Sequence, residues 1–137
     1  ARAQMMSAAA MGATAFQKGL GAIHAMSHPI GAIFGTHHGT TNAVCMPAVL
    51  EFNAPEIAER FDRAASYLGI QGGFEGFKTF VQGFNDSLGI PRGLAALGVG
   101  EDKLDDLVEG AIIDPSCGGN PIELNRENLR QLFLNAM

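Results

Sequence analysis

All four histidines of the chain fall between positions 24 and 38, in Gly21-Ala22-Ile23-His24-Ala25-Met26-Ser27-His28-Pro29-Ile30-Gly31 and Thr36-His37-His38-Gly39-Thr40-Thr41-Asn42-Ala43. Imidazole is the side chain suited both to binding a divalent transition metal and to moving protons near neutral pH, so this run is where chemistry is to be sought first. His24 and His28 are four residues apart and share one face of any helix that contains them. By spacing alone they are the favoured chelating pair. His38 lies 14 residues beyond His24, about 21 Å along an unbroken helix, too far for two nitrogens that each bind an ion at about 2 Å. A shared ion therefore requires the chain to turn back, and Gly31, Gly35 and Thr36 permit that turn.

The histidines can also be read without a metal, as structural residues of a helical module. An HxxxH pair is a weak signal, and two or three histidines are an incomplete shell, since ferrous iron commonly mixes histidine with carboxylate. No Asp or Glu occurs between Ala1 and Leu50. Any carboxylate ligand must come from later helices or from outside these residues. Pro29 and Pro47 sit inside helical patterns on either side of the cluster, where each should kink the helix or remove a backbone hydrogen bond. Local rules broken beside such a cluster are a frequent mark of functional sites.

The elements that must position these residues read as helices. Phe74, Phe77, Val81, Phe84 and Leu88 repeat at helical spacing along one stripe that ends at Gly89 and Pro91, and Ile57, Phe61, Ala64 and Leu68 form a stripe opened by Pro55 and closed by Gly69. A further helix runs from about Glu101 to Ala111. A last one covers about Arg126 to Ala136 behind an Asn125 N-cap. Between these two, Asp114 to Pro121 concentrates turn-forming residues. No segment shows the alternation of a half-buried strand, so the fold is expected to be all-α, a bundle of about six to seven helices in one domain spanning residues 1–137.

A net charge of −5 with scattered basic residues argues against nucleic acid as a partner. No run reaches the roughly 18 apolar residues of a membrane span. Cys45 and Cys117, without CxxC spacing, read as free thiols of a reduced, cytoplasmic protein. The opening Ala1-Arg2-Ala3-Gln4 has neither initiator methionine nor signal peptide and reads as a start in mid-structure. The helix from about Ala3 to Phe16 is apolar or small on nearly every face, which implies a covering partner and self-association as a homo-oligomer.

The stretch Gly19 to Asn53, with His24-Ala25-Met26-Ser27-His28 and His37-His38-Gly39-Thr40-Thr41-Asn42-Ala43, resembles the second signature of the iron-containing (group III) alcohol dehydrogenases, and Asp114 to Pro121 is similar to that family's C-terminal end. The resemblance implies the C-terminal helical domain of a dehydroquinate synthase-like fold, with an upstream cofactor-binding α/β domain and part of the helical domain lying outside this chain. It implies His24 and His38 as two of four metal ligands for Fe2+ or Zn2+, and His28 as the catalytic histidine of proton relay or substrate positioning. It gives no role to His37 and no substrate contact to Phe16. The implied activity is NAD- or NADP-dependent interconversion of a small alcohol and its aldehyde or ketone. The dinucleotide would be bound mainly by the absent domain, so the chain alone is expected to be inactive. Maleylacetate reductases and glycerol dehydrogenases share the fold and stand as alternatives.

Overall fold

A computed structural model describes residues 1–137 and contains six α-helices, joined by turns and four short 3-10 segments, with no strand. The helices are α1 (Arg2–Ala15), α2 (Ala22–Phe34), α3 (His38–Leu68), α4 (Gly73–Ser87), α5 (Leu104–Ile112) and α6 (Arg126–Ala136). The expected all-helical bundle is therefore observed, and its core is assembled mainly from α2, α3, α5 and α6. Met26 and Ile30 of α2, Leu107 of α5 and Leu129, Leu132 and Phe133 of α6 are almost wholly withdrawn from solvent in one cluster with Val44 and Cys45 of α3. Their apolar surface supplies the main drive for packing these helices together.

The helix that carries two of the histidines is fixed at both ends. Gly21 has no side chain with which to cap α2, and the first amide, that of Ala22, instead donates to Asn120 Oδ1 at 3.1 Å. The same Asn120 exchanges two hydrogen bonds with Asn53 of α3, at 3.0 and 2.8 Å, and donates to the Ile122 carbonyl at 2.7 Å. This clasp requires intimate backbone approach: a Cβ on Gly119 would lie 1.9 Å from the Leu20 carbonyl oxygen. At its other end α2 stops at Gly35, whose φ of 67° is left-handed and is tolerated best by glycine. Thr41 Oγ1 bridges Thr36 Oγ1 at 2.8 Å and the His37 carbonyl at 3.1 Å, which ties down the reversal into α3.

One expectation needs correction. The stripe from Ile57 to Leu68 does not form its own helix behind Pro55; it is the second half of a single 31-residue α3 that passes through both Pro47 and Pro55. Proline at 47 cannot donate to the Ala43 carbonyl, but Asn85 Nδ2 of α4 does so at 3.0 Å, which replaces the missing bond and lets the helix continue. The aromatic stripe from Phe74 to Leu88 lies on a helix, α4 (Gly73–Ser87), as its spacing predicts. Phe74 is buried and packs with Phe77 around Phe61 of α3, at ring separations of 5.9 and 4.7 Å from it. Phe80, Phe84 and Leu88, however, are at least half exposed, although the same helix meets α3 again near its end, where Asn85 bonds the Ala43 carbonyl. Likewise α1 buries none of its residues against the rest of the chain.

Candidate metal centre

The reversal between α2 and α3 brings the histidines together. The ring centres of His24 and His38 are 5.3 Å apart, those of His28 and His38 5.4 Å, and those of His24 and His28 5.7 Å. The axial distance that separates His24 from His38 in a straight helix is thus cancelled by the Gly35 turn. His37 points elsewhere: its Nδ1 accepts from the Thr40 amide at 3.4 Å and so caps the start of α3.

Two nitrogens of the cluster converge on one atom. Asn42, one turn after His38 on α3, has its amide nitrogen 3.0 Å from His38 Nε2 and 3.4 Å from His24 Nε2, while its own Oδ1 is buried without a partner. Two imidazoles binding one ion at about 2.0–2.1 Å per nitrogen would have ring centres about 5 Å apart at a tetrahedral angle, close to the 5.3 Å found for His24 and His38. The donor chemistry fits as well. His24 has its pKa lowered from 6.5, first by burial and then by the neighbouring His38 and His28 rings, with Asp114 acting in the opposite sense; it is thereby favoured as the neutral ring that a metal needs. No set of three or more His, Cys, Asp or Glu side chains is arranged to hold an ion unaided.

His28, on the same face of α2, is engaged differently. Its Nδ1 lies 2.7 Å from Asp114 Oδ2, at the turn after α5. Burial resists ionisation of Asp114, yet hydrogen bonds from Ser116 and His28 outweigh it and hold the carboxyl below its usual range. Beside His24 an open groove is lined by Ile23, Val49, Leu50, Ile57 and Phe61, apolar walls suited to a carbon chain.

Sequence reading foresaw neither Asn42 nor Asp114. Asn42 carried a usable signal, its spacing of four from His38. Asp114 carried half of one: Asp-Pro-Ser marks a capped turn, but nothing in the sequence joins it to a histidine 86 residues away.

The whole of residues 1–137 matches the family described as Fe-containing alcohol dehydrogenase family, C-terminal. The chain is 40% identical to 4-hydroxybutyrate dehydrogenase of Cupriavidus necator over 146 aligned residues, covering 100% of this chain and 38% of that protein. It is 33% identical to lactaldehyde reductase of Escherichia coli K12, over 86% of this chain and 33% of that one. Among solved structures, a 1,3-propanediol oxidoreductase superposes with a TM-score of 0.80 at 30% identity, over 86% of this chain and 33% of its own. An iron-containing alcohol dehydrogenase from Thermococcus thioreducens gives 0.75 at 35% identity, over 85% and 32%. The chain thus spans 32–38% of the length of these relatives.

Proposed function

Because the chain belongs to the Fe-containing alcohol dehydrogenase family, we propose that it supplies the metal-holding helices of an NAD(P)-dependent dehydrogenase acting on a small alcohol or aldehyde. The observation that carries this reading is the convergence of His24 Nε2 and His38 Nε2 on one point, with His28 in the same cluster. A divalent iron or zinc ion held there supplies Lewis acidity toward the alcohol oxygen. His24 and His38 would hold it through Nε2. Asn42, whose amide nitrogen lies between the two Nε2 atoms, would give way to the ion, and His28 would take up the alcohol proton. The groove walled by Ile23, Val49 and Leu50 beside His24 would exclude water from the substrate's carbon chain.

The remaining ligands and the dinucleotide site belong to sequence outside these 137 residues, so the chain alone is expected not to turn over. Relatives named for 4-hydroxybutyrate and lactaldehyde make short alcohols with a second polar group the first substrates to assay. Equilibrium dialysis of the chain against zinc or ferrous iron tests the ligand assignment: His24→Ala and His38→Ala are each expected to weaken binding by roughly tenfold or more. Binding that is unchanged in both variants would return the histidines to a structural role. In the enzyme completed by its dinucleotide-binding domain, His28→Asn is expected to lower kcat by roughly 10²–10⁴.

A further inference from the structure

Asp114 is not an incidental neighbour of His28. It caps the short 3-10 turn Pro115–Gly119, with Oδ1 accepting from the Ser116 amide at 2.8 Å, and this bond fixes the rotamer that delivers Oδ2 to His28 Nδ1 at 2.7 Å. The carboxylate is well enclosed, its side chain 13% exposed against 42% for the imidazole. Its Oδ1 faces the Ser116 amide and its Oδ2 the His28 ring. An ionised carboxylate accepts only, so the contact requires His28 Nδ1 to carry the hydrogen. In the neutral ring the lone pair is then on Nε2.

We propose that Asp114 is a positioning residue that fixes His28 as its Nδ1–H tautomer, so that Nε2 receives the proton of the reacting alcohol. The inference rests on reading His28 as the proton relay. The step balances: the O–H bond breaks and its proton passes to His28 Nε2, a carbonyl forms, and the hydride leaves the carbinol carbon for an oxidised nicotinamide. The resulting imidazolium stays paired with Asp114, which orients the ring and stabilises the charge without itself taking the proton.

Asp114→Asn separates this role from simple packing. The Ser116 amide must keep an acceptor, so the asparagine oxygen stays with it and the amino group faces His28. His28 Nδ1 must then become an acceptor, which moves the hydrogen to Nε2 and removes the lone pair that the reaction needs. Long-range ¹H–¹⁵N NMR of the histidine rings, on the metal-free full chain above the imidazole titration range, reads the tautomer directly. Support is Nδ1–H at His28 in the wild type and Nε2–H in Asp114→Asn, with His24 and His38 unchanged. In the completed enzyme the same variant should lose roughly 10²–10⁴ in kcat with KM little altered.

Nε2–H at His28 in the wild type, or Nδ1–H retained in the variant, overturns the proposal. Should the variant fail to fold, the wild-type spectrum alone decides. A His28→Asn enzyme with undiminished kcat would refute the relay reading separately, leaving the tautomer result to judge what Asp114 does.

Discussion

Helices α1 and α2 follow one another, are almost equal in length and lack acidic residues, yet α1 buries nothing whereas α2 buries Ala22, Ala25, Met26, Ser27, Pro29 and Ile30. The difference lies in arrangement and anchoring. In α2 the small and apolar residues share a face that meets α3 and α5, and the clasp on Ala22 and the Gly35 turn set its ends. In α1 the methionines at 5, 6 and 11 point in several directions, and no side chain caps its start. Apolar composition makes a helix; a matched surface makes it part of a core.

Truncation of core side chains probes this contrast most strongly. Ile30→Ala, at a fully buried position of α2, should cost about 2–5 kcal/mol in urea unfolding, while Met6→Ala in α1 should stay within about 0.5 kcal/mol. Equal losses would mean that α1 is packed in solution. Asn120→Ala attacks the anchor: it strips an acceptor from the Ala22 amide and both partners from the buried Asn53 side chain, for an expected loss of about 1–3 kcal/mol. Its zinc affinity should fall as well, since His24 sits one turn inside the helix start that Asn120 holds.

Mild peroxide reads the same contrast by chemistry. Met5, Met6 and Met11 are 67–74% exposed whereas Met26 is fully buried, so peptide mass spectrometry should find sulfoxide in α1 well before Met26 reacts. Protection of the α1 methionines that is lost on dilution would identify the homo-oligomer expected from its apolar surface. The smallest effect is one of pH. Asp114 is held below its ordinary value of 3.8 in the fold, so its contribution to stability is complete above that value and lost as the pH falls through the folded-state value. Urea midpoints in acid should accordingly decline less steeply in Asp114→Asn than in the wild type.

Much of the fold was legible in the sequence because helical periodicity, caps and stops are local: Asn125 caps α6 and Gly35 and Gly69 end α2 and α3 as their residue types suggest. The four histidines marked out the candidate site, and the glycines between them showed that the chain could reverse. Spacing alone favoured His24 with His28; the pairing of His24 with His38 came from family resemblance, and both rings do flank Asn42. Only the tertiary structure decided that Pro47 would be bridged by Asn85 rather than break α3, that Asn120 would start α2, and that Asp114 would meet His28. Each is a hydrogen bond between groups dozens of residues apart. Such bonds leave no periodic trace in a sequence, because their geometry exists only once packing of the apolar faces has brought the helices together.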